Sequence, residues 1–124
     1  MCIRDRFSTL RLADGPLTVY DIERLERVPG SIVLSCCSAG TVGVRPGEEL
    51  MGAAVAFLHL GARSLIAPTD VIDDELTATF MVAAHRQIAQ GASLSAALAR
   101  ARQDSKKEGS RAWANACLFS CFGA

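Results

Sequence analysis

Two adjacent cysteines, Cys36 and Cys37, are the residues of this chain best suited to covalent chemistry. They follow the short apolar run Ser31–Ser35 and precede a turn of small residues that ends at Thr41. A buried strand that delivers a thiol to a glycine-containing turn, with a helix soon after, is where an α/β protein places a cysteine nucleophile. The stretch from Ser31 to Thr41 is therefore the first candidate for an active site.

A cysteine nucleophile needs a base, because a thiol with an ordinary pKa is only slightly ionised at neutral pH. The chain has two histidines, His59 and His85. Each lies about eleven residues into a predicted helix that starts at the sheet edge of the cysteines, which places it about 16 Å from that edge. We expect both histidines on solvated or partly packed helix faces, and neither as the base.

The elements around the cysteines have the pattern of a βαβ unit. The run Ser31–Ser35 lacks alternation, as expected of a central parallel strand that is covered on both faces. Glu48–Leu60 has acidic residues in its first turn and one apolar face, which predicts a helix, and Arg63–Ala67 predicts the next strand. The crossover between the two strands should be right-handed.

The residues before this unit predict short elements. Residues 10–19 alternate around a turn at Asp14–Pro16, which predicts a small hairpin or an extended edge segment. Thr18 and Asp21 have the spacing of a capping box, which predicts a short helix.

The region after the βαβ unit predicts two helices and a strand. The acidic loop Asp70–Glu75 leads into a helix that ends at Gln90. Ser93 caps another helix, which we expect to end near Asp104, and Ala114–Phe122 predicts a last strand.

Composition excludes several classes of function. The chain has 124 residues, 21% of them charged, and its 13 basic residues balance 13 acidic ones. A chain without net charge has no field that favours nucleic acid or an anionic membrane, so we expect neither partner. No apolar stretch approaches the roughly 18 residues that span a bilayer, and Arg4 and Arg6 lie where a signal peptide would be apolar. We therefore expect a cytoplasmic protein.

No cofactor or metal is expected. The five cysteines include no CxxC pair, which argues against zinc and against a disulfide framework. We interpret Cys117 and Cys121 as small apolar residues inside a strand. The loop with Gly40, Gly43 and Gly47 lacks the spacing of a dinucleotide fingerprint and the lysine of a P-loop.

Residues 1–6 have no periodicity and no turn signal, and we interpret them as non-native residues. The domain is then expected to span residues 7–124, as the C-terminal part of a single α/β domain.

Several motifs, in this order along the chain, match one family. Ile32–Gly40 resembles a Leu-Ser-Ala-Cys-Glu-Thr-Gly block, Ile72–Thr77 resembles a Val-x-Asp-x-x-Thr loop, and Trp113–Gly123 resembles the family's ending. By these motifs the chain resembles the CHAT domain, a caspase-like cysteine peptidase module of the same clan as caspases and separase. The resemblance implies a three-layer α/β/α fold with a mainly parallel sheet, truncated at its N-terminus.

The resemblance also implies a site. Cys37 occupies the position of the nucleophile, and Cys36 lies where alanine is usual. Strand alternation supports a difference between the two, since neighbouring side chains point to opposite faces. The family's catalytic histidine lies before the segment that begins at Phe7, so the fragment is expected to be inactive or nearly so.

The acidic loop is the candidate substrate-binding site. Asp74 matches the loop aspartate of the family, which could pair with a basic side chain of a peptide substrate, and its neighbours Asp73 and Asp70 are the other candidate substrate-binding residues. The alternative is that Asp73 and Asp74 only cap the following helix. The resemblance implies a peptide or protein substrate, and repeat or regulatory domains in the full-length parent.

Two rival interpretations remain. The domain could be a non-catalytic interaction or signalling module, in which the cysteine pair is only a strand end. It could also be a generic doubly wound ligand-binding domain, although the missing glycine fingerprint argues against this.

Overall fold

The computed structural model of the chain describes residues 9–35 and 48–123. Its elements, in chain order, are β1 (Thr9–Leu12), β2 (Gly15–Thr18), α1 (Val19–Glu23), β3 (Ser31–Val33), α2 (Glu48–His59), β4 (Ser64–Pro68), α3 (Asp74–Ala89), α4 (Leu94–Glu108), α5 (Ser110–Cys117) and β5 (Phe119–Gly123). In this part of the chain no helix is both long and apolar enough to cross a membrane.

The first elements confirm the predicted hairpin and capping box. β1 and β2 pair antiparallel. The Thr18 hydroxyl accepts a hydrogen bond from the Asp21 N–H at 3.2 Å, and the Thr18 N–H donates to the Asp21 carboxylate at 2.8 Å. These two bonds satisfy orphan donors at the start of α1. The Thr18 hydroxyl also donates to the Asp21 carboxylate, at 2.7 Å. The bonds from the Thr18 N–H and hydroxyl lower the pKa of the Asp21 carboxyl, because both bind its charged form.

The sheet is mixed. Its described strands have the order β3-β4-β5, with β3 parallel and β5 antiparallel to β4. The predicted βαβ unit is present, since α2 connects β3 to β4. A mainly parallel sheet is not confirmed, because the chain enters β5 directly from α5, at the carboxyl end of β4, and returns along β4 in the opposite direction.

β3 differs from the prediction in its position. It is an edge strand of the described sheet and is only partly buried, whereas we expected a central strand covered on both faces. β4 has that role instead, since all five of its residues are buried. The continuous apolar pattern is typical of both strands, and pattern alone does not distinguish the centre of a sheet from its edge.

Helices cover both faces of β4. Leu65 and Ala67 pack with α1 and α2 on one face, in a core that includes Ile22 and Phe57. Ile66 points to the other face, where it joins residues of α3, α4, α5 and β5. Phe80 and Phe119 are in contact in this second core, with their ring centroids 5.1 Å apart.

The prediction of a strand over residues 114–122 is wrong in its first half. Ser110–Cys117 is the helix α5, and β5 begins at Phe119. The buried residues Ala112, Asn115 and Ala116 have helical spacing. α4 also continues beyond the predicted end to Glu108, with Ser105 buried against the fold at 4% exposure.

Candidate functional site

The carboxyl ends of β3 and β4 lie side by side because these strands are parallel. Val33 is opposite Ile66, and the Leu34 N–H extends the pairing by donating to the Ile66 carbonyl at 2.8 Å. The chain leaves β3 at this edge toward the cysteines, and it leaves β4 at the same edge toward the acidic turn, residues 69–74. Cys36 and Cys37 lie outside the described residues, so the nucleophile assignment stays a prediction.

The acidic turn is fixed at its first residue by the end of α5. The Thr69 N–H and hydroxyl both donate to the Leu118 carbonyl, at 2.8 and 2.9 Å. The next residue, Asp70, accepts a hydrogen bond from the Val71 N–H at 2.7 Å. Ile72 is buried at 6% exposure and anchors the middle of the turn in the core.

Asp73 ends the turn and caps α3. Its carboxylate accepts from the Leu76 N–H at 2.9 Å, and its other oxygen lies 3.8 Å from Arg111. This arrangement confirms that an aspartate caps the helix, and it identifies Asp73 rather than Asp74 as the cap. Asp74 lies in the first turn of α3 with its side chain exposed.

The buried side-chain amide of Asn115 holds the acidic turn in place by hydrogen bonds. The Asn115 side chain accepts from the Asp73 N–H at 2.8 Å and donates to the Thr77 hydroxyl at 3.0 Å. Asn115 and Thr77 are both buried, at 6% and 5% exposure. One side chain of α5 therefore fixes both the turn and the first turn of α3.

The sequence analysis missed Asn115 because it placed residues 114–122 in a strand, and it missed Arg111 because it predicted no regular structure for residues 110–113. The signal that could have found them is the helical spacing of Ala112, Asn115 and Ala116, which places a polar side chain among buried alanines. A buried amide is expected to have hydrogen-bond partners, and so to hold something in place.

The two histidines are far from this edge. His59 is the last residue of α2 and is exposed. His85 is exposed on α3, where its Nδ1 donates to the Met81 carbonyl at 2.8 Å. Each lies eleven residues beyond the first residue of its helix, which corresponds to about 16 Å along the axis. Their expected positions on solvated helix faces are confirmed.

The remaining described cysteines have different surroundings. Cys117 is exposed at the end of α5, and Cys121 is partly buried in β5. The strand assignment was thus right for Cys121 and wrong for Cys117. Burial raises the pKa of the Cys121 thiol, and the nearby Arg102 guanidinium partly opposes this. Among the described residues, no group of three or more His, Cys, Asp or Glu side chains could hold a metal ion.

Comparison with known proteins identifies the family. A family model described as the CHAT domain matches residues 3–120. Neither the search of curated proteins nor the search of solved structures finds a match. The match covers nearly the whole chain. The chain belongs to the CHAT domain family.

Proposed function

We propose that the chain is the cysteine-bearing part of a CHAT peptidase domain that hydrolyses peptide bonds through the thiolate of Cys37. One observation carries this proposal. The parallel pairing of β3 with β4 brings the chain that leads to Cys37 and the acidic turn to one edge of the sheet. Cys37 is two residues beyond Ser35, so their Cα atoms are at most about 8 Å apart.

The fold supports a caspase-like arrangement. Helices α1 and α2 lie on one face of β4, and α3, α4 and α5 lie on the other. We propose that these layers belong to a three-layer α/β/α domain of caspase type. The described sheet would then be its C-terminal part, with further strands joining at the free edge of β3.

The proposed chemistry is acyl transfer. The Cys37 thiolate adds to the peptide carbonyl, and the amine leaves with a proton from a histidine. Water, deprotonated by the same histidine, then hydrolyses the acyl-enzyme and regenerates the thiol. We propose that the Cys37 backbone N–H donates a hydrogen bond to the oxyanion. The histidine is neither His59 nor His85, and we place it outside these 124 residues.

The acidic turn is the proposed recognition site for a basic substrate side chain. The carboxylate of Asp73 is engaged by the Leu76 N–H and Arg111, so we assign Asp73 to positioning the turn. Asp74 and Asp70 are exposed beside it. We propose Asp74, helped by Asp70, as the carboxylate that pairs with a lysine or arginine of the substrate.

The test is covalent labelling of the intact parent protein with a peptide that carries a thiol-reactive group after a basic residue. Labelling should be lost in Cys37→Ala and kept in Cys36→Ala, which is the matched control because the two thiols are adjacent. If Cys37→Ala is labelled as well as the unmodified protein, the nucleophile assignment is wrong. Absence of labelling in both the parent and the control would favour the non-catalytic module.

A further inference from the structure

The first residue of the acidic turn depends on one backbone carbonyl. The Thr69 N–H and hydroxyl both donate to the Leu118 carbonyl, at 2.8 and 2.9 Å. Thr69 itself is exposed, so these two bonds, rather than burial, hold it in place. Asp70, one of the proposed recognition residues, directly follows Thr69. The position of Asp70 therefore depends on how the Leu118 carbonyl is held.

The other proposed recognition residue depends on the same part of the chain. Asp74 directly follows Asp73, whose N–H donates to the Asn115 side chain at 2.8 Å. Asn115 and Leu118 lie three residues apart, where α5 ends and β5 begins. We call residues 115–119 the α5–β5 junction. Both recognition carboxylates therefore depend on how this junction is held.

One side chain of α4 binds the α5–β5 junction on both sides of Leu118. The Arg102 guanidinium donates from Nε to the Ala116 carbonyl at 3.4 Å and from Nη2 to the Phe119 carbonyl. The Ala116 carbonyl lies in the last turn of α5, where carbonyls lack partners within the helix and the dipole favours a positive charge. Because the guanidinium is a planar fork, binding both carbonyls fixes the segment between them, which contains Leu118.

We propose that Arg102 is a positioning residue for the acidic turn and determines how strongly the turn selects a basic substrate side chain. This inference rests on the proposed function. Arg102 holds the two carbonyls that flank Leu118, and the Leu118 carbonyl holds Thr69 at the start of the turn. Arg102 is partly buried on α4, so it acts on the substrate only through the α5–β5 junction.

The test is peptide cleavage by the intact parent protein, with two peptides that have either arginine or norleucine before the cleaved bond. Arg102→Gln should lower kcat/KM for the arginine peptide about fivefold, because a misplaced carboxylate loses part of a charge-assisted contact. The loss should be a rise in KM with kcat unchanged. Cleavage of the norleucine peptide should not change, since norleucine makes no ion pair with the acidic turn.

Two further variants separate this role from a general effect of losing an arginine. Arg100→Gln is the matched control, because Arg100 lies two residues away on the same helix and donates to Gln87 of α3 at 2.9 Å. It should leave KM unchanged for both peptides. Arg102→Lys keeps the positive charge but replaces the planar fork by a single nitrogen. Its KM for the arginine peptide should lie between those of the unmodified protein and Arg102→Gln.

Hydrogen exchange in the 124-residue chain gives a measurement that does not depend on peptidase activity. In Arg102→Gln the Thr69 amide should exchange about tenfold faster relative to amides in the middle of β4, because the carbonyl that it binds is no longer held. In Arg100→Gln the Thr69 amide should keep the same ratio to the β4 amides as in the unmodified chain.

Two results would overturn the proposal. One is a Thr69 amide that keeps its protection in both Arg102 variants, and the other is a KM for the arginine peptide that is equal in Arg102→Gln and Arg100→Gln. Cleavage of neither peptide by the unmodified parent overturns the proposed function instead. The exchange rate of the Thr69 amide then decides by itself whether Arg102 positions the acidic turn.

Discussion

Replacing Asn115 by alanine should destabilise the domain more than any other single polar change at the candidate site. The substitution removes two hydrogen bonds, from the Asp73 N–H at 2.8 Å and to the Thr77 hydroxyl at 3.0 Å. Thr77 is 5% exposed, so its hydroxyl would lose its partner in a place that water reaches poorly. Two lost bonds with partners left unpaired correspond to about 3 kcal/mol of unfolding free energy.

Thermal and chemical unfolding measure this loss. For a domain of this size, a change of about 3 kcal/mol should lower the melting temperature by about 12 °C. Gln103→Ala is the control, because Gln103 is exposed on α4, and a surface change of this kind should stay within about 0.5 kcal/mol. Thr77→Val in the Asn115→Ala background should cost little more, because the interaction is already absent.

Hydrogen exchange gives a second measurement that is specific to the turn. The Asp73 and Leu76 amides are protected by hydrogen bonds at the start of α3. In Asn115→Ala the Asp73 amide should exchange much faster, while amides in the middle of β4 should change only as global stability falls. If Asn115→Ala has the same melting temperature as Gln103→Ala and the Asp73 amide keeps its protection from exchange, the proposed role of Asn115 in holding the acidic turn is wrong.

Two further predictions concern the backbone and pH. Gly123→Ala should destabilise the fold by more than about 2 kcal/mol, because Gly123 has φ +87° and an added Cβ would lie 2.2 Å from the Arg63 carbonyl oxygen. Gly91→Ala, at φ +93° in open space, should cost only about 1 kcal/mol in the same denaturant assay, and equal losses would refute the steric argument. The pKa of Asp21 is lowered from 3.8 in the folded chain, so its contribution to stability is present above that pH and is lost as pH falls through the lower, folded-state pKa. The melting temperature of Asp21→Asn should therefore fall less than that of the unmodified chain on acidification below about pH 4, and parallel curves would contradict the capping-box explanation.

Helix starts were predictable from the sequence because their signals are local. Thr18, Asp73 and Ser93 each accept a hydrogen bond from an N–H three residues later. Such bonds depend on a few consecutive residues, so their spacing in the sequence is sufficient to propose them. The choice between Asp73 and Asp74 needed the structure, since both residue types suit the position equally.

The order of the strands in the sheet and the secondary structure of residues 110–117 could not be predicted from such local signals. The apolar run around Cys117 suits either a strand or a buried helix, and its alanines favour the helix only once packing against α4 is known. The antiparallel direction of β5 depends on pairing with β4 across more than fifty residues of chain. Local pattern carries no information about such a pairing.

The candidate site was predicted in part. The acidic turn lies at the carboxyl edge of β4 as expected, and both histidines lie away from it. The residue that holds the turn, Asn115, comes from 42 positions away in the sequence. Its role depends on the packing of α5 against α3, which the sequence pattern does not indicate.

The complete burial of β4 has a consequence for how the domain unfolds. Leu65 and Ala67 belong to one core and Ile66 to the other, so adjacent residues of one strand support both halves of the molecule. Neither core can open without exposing part of the strand that the other core needs. The two halves should therefore lose structure together, and probes placed at the two opposite ends of β4 should report on a single cooperative unit.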